Sequence, residues 1–338
     1  MSCAELIINK LKEKYKDDTK LDVAFICYNA SMWDSLESVY LLVKDIWNVE
    51  IVCPYYIKGK ELTTDIDYMS YDCSTTLKKD HYDIIFNNNP YDDNNYVTKL
   101  NKNYWNINLA KMCDTFVLIP YFCNSDEIDE NIVLTNGFFV ADLVIVDSEK
   151  VKQYCCEILH NFFLQFGQDY DFSGKIFAFG SPKYDAILKD KKENYTIPTE
   201  WVNIISNRKI ILFNTSLKPF LENSNKLEDI KYILNRFKND PNYVIWWRPH
   251  PLLRETIVNL RPEKLKEYDE IVEWVKESNC AIFDNTSDLH RSIAVSDLTI
   301  TDKSSVAYLY EKTGKPITFM DEYIKNKNLN FNKKSVDK

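Results

Sequence analysis

The stretch 21–56, LDVAFICYNASMWDSLESVYLLVKDIWNVEIVCPYY, sets a pattern that the rest of the chain repeats. An apolar run at 21–29 is followed by apolar residues at helical spacing over 31–46, and a second apolar run follows at 49–56. Ser31 stands where its hydroxyl can cap the predicted helix. Short, continuously apolar strands that alternate with helices are typical of parallel sheets covered on both faces.

The same alternation continues in two series along the chain. Further strands of the first series are predicted at 81–88, 115–122, 141–148 and 175–182, with a helix over 149–164. The second series has predicted strands at 208–216, 242–249, 280–284, 297–302 and 316–320, separated by helices at 225–239, 263–278, 287–295 and 303–313. We therefore predict an α/β protein with two doubly wound parallel-sheet domains, 1–190 and 191–338.

Composition argues against several classes of protein. The 338 residues include 22 Tyr, 18 Phe and 7 Trp, enough apolar surface for a folded core and evidence against disorder. The net charge of −9 argues against a nucleic-acid binder, and no apolar run reaches the ~18 residues of a membrane-spanning helix. The N-terminal residues lack the apolar core of a signal peptide, which favours a cytoplasmic location. The locally basic segment 9–20 is interpreted as a solvated helix, not as a membrane contact.

Nine cysteines and four histidines are the candidate soft metal ligands. The cysteines form no CxxC pair and most stand in apolar runs, so we interpret them as reduced, buried thiols. His81, His160, His250 and His290 do not pair with another His or with Cys at zinc spacing. We therefore expect neither a metal nor another cofactor.

Residues that directly follow strands are the candidates for a site, because open parallel sheets bind ligands beyond the carboxyl ends of their strands. Thr301 stands near the end of the predicted strand 297–302, and Asp302, Ser304 and Ser305 lead into the next predicted helix. Free backbone N–H groups and hydroxyls at a helix start suit an anion such as phosphate. The alternative is plain helix capping by Asp or Ser, which needs no ligand.

The segment WWRPHP, 246–251, ends another predicted strand. Its prolines fix the backbone on either side of His250, so Arg248 and His250 stand on a stiff connection at the strand's carboxyl end. Arginine suits phosphate oxygens, and histidine suits proton transfer or a hydrogen bond to phosphate. The alternative is a surface loop in which the histidine has no function.

Weaker candidates stand in three other turns. They are Asn214, Thr215 and Ser216 after a strand, Gly180 and Ser181 in the turn GSPKYD, and Ser287 and Asp288 before a helix. Turn and cap chemistry explains such residues without a ligand. The chain has no GxGxxG after a strand, no P-loop motif and no GxSxG, which disfavours a standard dinucleotide fold, a P-loop enzyme and a nucleophile elbow.

Taken in order, ILFNTS (211–216), WWRPHP (246–251) and SDLTITDKSSV (296–306) resemble the C-terminal half of the CDP-glycerol glycerophosphotransferase family, the teichoic-acid polymerases and primases. That family shows a strand ending in a TPT-like turn, an R-x-H-P element and an SD-x-x-ITD-x-SS-V segment. The turn GSPKYD (180–185) looks like its GxPxxD, and the N-terminal stretches are similar to a subgroup of the family. The resemblance covers about residues 20–325.

The resemblance implies a GT-B architecture, in which two Rossmann-like domains face each other across a cleft. The C-terminal domain would bind a CDP-linked polyol and the N-terminal domain the acceptor, whose hydroxyl would attack the phosphorus nearest the polyol and release CMP. A metal is not needed, because helix N-termini and basic residues can neutralise the diphosphate. By the same resemblance, His250 would contact the diphosphate or assist the leaving group. The donor contacts would be Arg248, Asn214, Thr215, Ser216, Ser287, Asp288, Thr301, Asp302, Ser304, Ser305, Gly180 and Ser181.

The sequence departs from the family in its N-terminal half. The family's W-H-G-T element, whose histidine is the usual general base, corresponds here to IPYFCN (119–124), which has no histidine. Asp34, in SMWDS, is the preferred candidate for that role, and Asn89, Asp92 and Asp93, in NNNPYDDNN, are the alternatives. A carboxylate base needs burial to raise its basicity, and the alternative for Asp34 is an acid that stabilises the first turn of a helix. Asn89, Asp92 and Tyr121 are candidates for the acceptor side.

Two other functions fit the same motifs. A GT-B glycosyltransferase that uses a nucleotide sugar for capsule or surface polysaccharide would need the same phosphate site, and a degenerate member would bind a nucleotide without catalysis. The expected partners are a nucleotide-activated donor and a glycan or lipid-linked acceptor, with no nucleic acid. Contact with the inner face of the membrane would be weak at a net charge of −9, and the oligomeric state is left open.

Overall fold

The computed structural model describes residues 1–15, 20–54, 73–92, 100–124, 128–222, 225–286 and 288–326. Ser287, one of the predicted donor contacts, and Asp93, an alternative for the base, lie outside these residues. The chain divides into two compact units, Met1–Lys189 and Asp190–Lys338. Each unit has its own parallel sheet and its own hydrophobic core.

Within its described residues, the N-terminal unit has a six-stranded parallel sheet with the strand order β2-β1-β3-β4-β5-β6. Its strands are β1 (Asp22–Ile26), β2 (Asn48–Val52), β3 (Tyr82–Asn87), β4 (Cys113–Leu118), β5 (Leu143–Ile145) and β6 (Ile176–Phe177). Every predicted strand of the first series is confirmed. Each observed strand is shorter than its predicted run, because the ladder ends before the turn residues that close the run.

The N-terminal sheet is buried on both faces. Val23 and Phe25 of β1 pack into one core cluster, while Ala24 and Ile26 pack into another on the opposite face. This alternation explains the continuously apolar strands of the sequence. Among its described residues, this unit has the helices Cys3–Lys12, Glu37–Val43, Asn106–Leu109, Glu130–Val133, Asn136–Val140, Glu149–Leu164 and Pro182–Lys189.

The helix Cys3–Lys12 overlaps the start of the basic segment 9–20, which was predicted to be a solvated helix. One face of this helix is buried in the N-terminal core. It begins with a capping box, in which the Glu5 N–H donates to Ser2 Oγ (3.2 Å) and the Ser2 N–H donates to the Glu5 carboxylate (2.7 Å). Ile7 and Leu11 are buried in the N-terminal core. Each such side chain contributes about 1.5–3 kcal/mol. Packing against the sheet therefore stabilises this helix.

In the described part of the C-terminal unit, five parallel strands have the order β11-β10-β7-β8-β9. They are β7 (Lys209–Thr215), β8 (Tyr243–Pro249), β9 (Ala281–Phe283), β10 (Leu298–Thr301) and β11 (Ile317–Phe319). All the strands predicted for the second series are therefore confirmed. The strand order reverses between β7 and β10, which is the position where open α/β sheets bind ligands.

The helices that the structure describes in the C-terminal unit are Thr199–Ile205, Leu217–Glu222, Lys226–Arg236, Leu253–Leu260, Leu265–Glu277, Leu289–Val295, Ser305–Glu311 and Met320–Lys325. Leu217–Glu222, Leu253–Leu260 and Met320–Lys325 are not among the predicted helices. Each has eight residues or fewer, too short for apolar spacing to show a helical period. In the described part of the chain, helices are too short or too polar to cross a bilayer.

Candidate functional site

Buried polar side chains tie three strand ends together at the carboxyl edge of the C-terminal sheet. The Asn214 amide on β7 donates to the Arg248 carbonyl on β8 (3.1 Å), and its oxygen accepts from Thr301 Oγ1 on β10 (3.5 Å). Thr215 Oγ1 accepts from the Trp247 indole (3.3 Å). Asn214, Thr215 and Thr301 are predicted donor contacts, and the structure places them together as the buried frame of this edge.

Asp302 fixes the loop after β10 to the loop after β7. One carboxylate oxygen lies 2.7 Å from the Lys226 ammonium, and both side chains are almost fully buried. The other oxygen accepts from the Ser216 N–H (2.8 Å) and Ser216 Oγ (3.3 Å). The sequence analysis missed Lys226, because the ion pair joins residues far apart in the chain. In the sequence, Lys226 is only a lysine at the start of an amphipathic helix, which is a common pattern at a protein surface.

Ser304 occupies the N-cap position of the helix Ser305–Glu311, with extended backbone dihedrals. Its side chain makes no capping hydrogen bond. Within the residues that the structure describes, its buried Oγ has no hydrogen-bond partner. Asp302 is engaged elsewhere and Ser305 is exposed, so the capping alternative does not account for this serine pair. The hydroxyl and the first N–H groups of the helix can bind an anion.

Arg248 is a buried clamp on the loop after β9. Its guanidinium donates to the Asp284 carboxylate (3.0 Å) and to the Thr286 carbonyl (2.6 Å). Asp284 is fully buried and also accepts from the Trp246 indole (2.8 Å) and from the Thr286 hydroxyl (2.7 Å). The surface-loop alternative therefore does not fit Arg248. The arginine shapes the loop with both of its terminal nitrogens.

Arg291 supports the same loop and was not a sequence candidate. It donates to Thr286 Oγ1 (2.9 Å), and its guanidinium carbon lies 5.1 Å from the ring centroid of Trp201. Asp288, a predicted donor contact, caps the helix Leu289–Val295 by accepting from the Arg291 N–H (2.9 Å). Capping chemistry therefore accounts for Asp288 in the structure. The neighbouring Ser287 is outside the described residues.

His250 directly follows β8 and is half-buried. The backbone N–H of His250 donates to the Thr215 carbonyl (2.8 Å), which fixes the backbone at the strand end. Its Nδ1 accepts from the Leu252 N–H (3.1 Å), so the neutral ring carries its proton on Nε2. Burial lowers the pKa of His250 below its ordinary value. At neutral pH this histidine is therefore an uncharged hydrogen-bond donor through Nε2.

A cavity of about 470 Å³ opens beside His250. Its walls come from the carboxyl ends of β8 and β9 and from the helices Leu253–Leu260 and Leu265–Glu277. The lining residues are Pro249, His250, Pro251, Arg254, Glu255, Tyr268, Asp269, Val272, Glu273, Lys276, Phe283, Asn285 and Thr286. Apolar, aromatic and charged groups together suit a ligand with a flat ring and polar edges.

Asp34, the candidate base of the N-terminal unit, is paired with a lysine. The Lys183 ammonium lies 3.1 Å from its carboxylate, and the two side chains are largely buried. Burial acts to lower the pKa of Lys183, but the charge and hydrogen bond of Asp34, together with Cys123 and Tyr121, outweigh burial and raise it. A neighbouring ammonium stabilises a carboxylate and makes it a weaker proton acceptor. A carboxylate becomes a stronger base when it is buried without a positive partner. Asp34 is instead paired with Lys183.

Gly180 and Ser181 lie in the N-terminal unit, whereas the other predicted donor contacts lie in the C-terminal unit. Gly180 has φ +91°, a conformation that suits glycine in this turn. The Ser181 hydroxyl accepts from the Lys183 N–H (3.3 Å) at the start of the helix Pro182–Lys189. Local turn geometry therefore accounts for the contacts of both residues.

The acid of the GSPKYD turn has a structural role that the sequence analysis missed. The Asp185 carboxylate accepts from the N–H groups of Cys3 (3.0 Å) and Ala4 (2.9 Å), at the start of the first helix. Ser38 Oγ lies 3.3 Å from the same carboxylate. Asp185 therefore fastens the first helix to the last helix of the N-terminal unit.

Asn89 and Asp92, two of the acceptor-side candidates, are buried and bonded to neighbouring residues. Asn89 exchanges hydrogen bonds with the backbone of Tyr91 (2.9 and 3.3 Å). The Asp92 carboxylate accepts from the backbone and side chain of Asn106 (both 2.7 Å) and from the Asn136 amide (2.8 Å). These contacts hold the loop after β3 in place.

Tyr121, the third acceptor-side candidate, is partly exposed. Its ring stacks on Tyr28, with centroids 6.4 Å apart and planes at 17°. Burial raises the pKa of Tyr121, so its hydroxyl stays protonated at neutral pH and can donate a hydrogen bond. Of the three acceptor-side candidates, Tyr121 is the one with accessible surface.

Three solved structures are similar to this chain, and the two with TM-scores above 0.5 show the fold. A putative UDP-N-acetylglucosamine 2-epimerase from Listeria monocytogenes has a TM-score of 0.56 and 12% identity, covering 89% of this chain and 79% of its own. The Methanocaldococcus jannaschii UDP-GlcNAc 2-epimerase, in complex with UDP-GlcNAc and UDP, has a TM-score of 0.55 and 12% identity, covering 92% and 93%. The wall teichoic acid polymerase TagF has a TM-score of 0.47 and 14% identity, covering 96% and 78%. The protein has a GT-B type fold with two Rossmann-like parallel-sheet domains, as predicted.

The family follows from the sequence match. The model of the CDP-glycerol:poly(glycerophosphate) glycerophosphotransferase family matches residues 153–335, more than half of the chain. The chain belongs to this family of transferases, which confirms the resemblance. Comparison with curated protein sequences gives no match. The matched residues include β7 to β11 and all the strand-end residues of the C-terminal unit described above.

Proposed function

We propose that the protein transfers glycerol phosphate, or a related polyol phosphate, from a CDP-activated donor to a hydroxyl of a teichoic-acid-like or other surface glycan. The family match over 153–335 carries this proposal. The acceptor oxygen bonds to the phosphorus nearest the polyol, the bond from that phosphorus to the CMP oxygen breaks, and CMP leaves. A base on the enzyme or in solvent takes the acceptor proton. The reaction takes place in the cytoplasm, at or near the inner face of the membrane.

The donor binds to the C-terminal unit in this proposal. The cavity beside His250 takes the nucleoside, and the diphosphate lies along the strand ends. His250 Nε2–H donates to a phosphate oxygen and so stabilises the negative charge that develops as CMP leaves. Ser304 Oγ and the first N–H groups of its helix bind further phosphate oxygens. Arg248 acts on the donor indirectly, by holding the loop that carries Asn285 and Thr286 into the cavity.

The N-terminal unit binds the acceptor in this proposal. Tyr121 offers a hydroxyl and an aromatic face for a polyol or sugar chain. Asp34 is the candidate base, and Lys183 controls how strongly it attracts a proton. Replacement of Lys183 by Met should therefore alter the pH dependence of turnover if Asp34 accepts the proton.

A calorimetric titration tests the donor. CDP-glycerol, CDP-ribitol, CMP, UDP and UDP-GlcNAc are compared at the same concentrations, and CDP compounds should bind at least tenfold more tightly than uridine compounds, a difference of about 1.4 kcal/mol. Release of CMP that depends on added acceptor would then support the transferase. Absence of binding to every nucleotide would contradict the proposal.

A second candidate is a transferase that uses a nucleotide sugar. The observation that favours it is the fold shared with an epimerase solved in complex with UDP-GlcNAc and UDP. A preference for UDP over CDP in the same titration would select this candidate.

A further inference from the structure

The helix Leu265–Glu277 supplies a charged wall of the cavity beside His250. Asp269, Glu273 and Lys276 all line the cavity. Residues three or four apart lie on the same face of a helix, and four residues rise about 6 Å along its axis. The three side chains therefore form a row along this wall. The cavity volume of about 470 Å³ suits a ligand of the size of a nucleoside.

Two of these three charges are engaged by other groups of the protein. The Arg254 guanidinium donates to both oxygens of the Asp269 carboxylate (3.0 Å each), which joins the two helices of the cavity wall. The Lys276 ammonium lies 5.2 Å from the ring centroid of Phe283, at the end of β9. This is the geometry of a cation–π interaction. The charges of Asp269 and Lys276 are therefore partly balanced before a ligand binds.

Glu273 is different, because its exposed carboxylate makes no hydrogen bond and no ion pair within the described residues. Lys276 is three residues further along the helix, where an ion pair could form, but its ammonium lies over an aromatic ring instead. The hydrogen bond and charge of Asp269, followed by the charge of Glu255, raise the pKa of the Arg254 guanidinium. Glu255, which also lines the cavity, therefore already interacts with a cation. Glu273 is the lining carboxylate that is most available to a ligand.

The charge of Glu273 determines which part of a nucleotide can lie against it. A diphosphate is repelled by the carboxylate and fits better at the strand ends, where His250 Nε2–H and the Asn285 amide are uncharged donors. The uncharged base then lies toward the helix Leu265–Glu277. An ionised carboxylate accepts hydrogen bonds and cannot donate them. The base must therefore present a donor to Glu273.

Cytosine meets this requirement and uracil does not. The exocyclic amine of cytosine donates hydrogen bonds that a glutamate can accept, whereas uracil carries the acceptor O4 at the same position. We propose that Glu273 is a specificity-determining residue that accepts a hydrogen bond from the cytosine amine and rejects uracil by repulsion between two acceptors. This inference rests on the proposed function, in which the cavity beside His250 takes the nucleoside of the donor.

Calorimetric titration of the full chain with CDP and with UDP tests the role of Glu273, because these two ligands differ only in the base. Wild-type protein should bind CDP about tenfold or more tightly than UDP. Glu273→Gln should reduce this ratio to about one, since an amide can donate to uracil O4 as readily as it accepts from the cytosine amine. Circular dichroism checks that the variant is folded.

Glu270→Gln is the matched control. It removes the same charge from the same helix at an exposed position that is not among the lining residues of the cavity. This variant should keep the wild-type ratio of the CDP and UDP affinities. A general effect of charge on nucleotide binding would change both affinities alike and leave the ratio unchanged in either variant.

The outcomes separate this inference from the proposed function. If wild-type protein prefers CDP and Glu273→Gln keeps the full preference, the role of Glu273 is overturned while the proposed donor stands. Loss of the preference in Glu255→Gln alone would also overturn it, and would assign base selection to the other helix. Wild-type protein that binds UDP as tightly as CDP would contradict both the proposed donor and the role of Glu273.

Discussion

At the scale of single residues, His250 has the most definite chemistry. Its Nδ1 is occupied by the Leu252 N–H, so Nε2 is left to act on a ligand in one fixed tautomer. Sequence reasoning found this residue because the two prolines of WWRPHP mark a stiff strand end. It could not find the tautomer, which depends on backbone geometry two residues later.

Replacement of His250 by Ala should lower turnover at least tenfold, about 1.4 kcal/mol of transition-state stabilisation, because the Nε2–H donor to phosphate is lost. His250→Gln should recover part of the loss, since its amide can also donate. The measurement is CMP release at saturating donor, with His160→Ala, an exposed histidine of the N-terminal unit, as control. Wild-type rates in His250→Ala would remove the histidine from the reaction.

His250 should also make the stability of the C-terminal unit depend on pH. Burial lowers its pKa in the folded state, so the unfolded chain binds the proton more readily. The free energy of unfolding should therefore fall as the pH drops below about 6.5, the ordinary pKa of histidine. Thermal melts from pH 8 to pH 5 should show a smaller decline for His250→Asn than for wild type. Equal declines would show that other groups cause the acid sensitivity.

Ser304→Ala should separate ligand binding from folding. The Ser304 hydroxyl has no hydrogen-bond partner within the described residues, so its removal should leave the melting temperature unchanged or slightly higher. Affinity for the CDP compound should fall roughly tenfold, about 1.4 kcal/mol, because a hydrogen bond to a charged phosphate is lost. Ser305→Ala is the neighbouring control. A large loss of stability in Ser304→Ala would instead favour a structural hydroxyl.

At the scale of elements, the loops after β7, β9 and β10 owe their shape to buried acids. Asp284 and Asp302 each accept several hydrogen bonds from residues outside their own strand. The strands were predictable because burial on both faces requires continuous apolar runs, which are visible in the sequence. The partners Lys226 and Arg291 were not, because contacts between distant residues leave no periodic signal in one chain.

The first helix should detach when Asp185 is removed. Asp185→Ala leaves the N–H groups of Cys3 and Ala4 without their acceptor, at a cost of about 1–2 kcal/mol. Hydrogen exchange should accelerate across Cys3–Lys12 before the rest of the N-terminal unit. Asp45→Ala, which removes an exposed carboxylate in the same unit, should leave exchange in this helix unchanged. Unchanged exchange in Asp185→Ala would mean that apolar packing alone holds the helix.

At the scale of the whole molecule, the two units have separate sheets and cores, and they differ in how far the sequence predicts their sites. The C-terminal candidates were brought together at one sheet edge, because they all follow neighbouring strands. The N-terminal candidates instead make structural contacts, since Asn89 bonds within its own loop and Asp92 and Asp34 each pair with a residue of another element. Position after a strand therefore predicts which residues meet at a sheet edge, but not whether their side chains are free to contact a ligand.

Nucleotide binding should protect one unit more than the other. A donor at one hundred times its Kd stabilises the folded form that binds it by about 2.7 kcal/mol. With saturating CDP-glycerol, hydrogen exchange should slow mainly within 190–326, above all around β8, β9 and the helix Ser305–Glu311. Protection confined to 1–189 would place the nucleotide on the N-terminal unit and contradict the proposed site.

The loop after β9 is held in one conformation by hydrogen bonds, and this affects the thermodynamics of ligand binding. Arg248, Asp284, Arg291 and the indole of Trp246 already immobilise Thr286 before any ligand arrives. A preorganised surface loses little conformational entropy when it captures a partner. Association at this edge should therefore carry a small entropic cost of ordering, and loop closure should not limit the rate at which the donor enters.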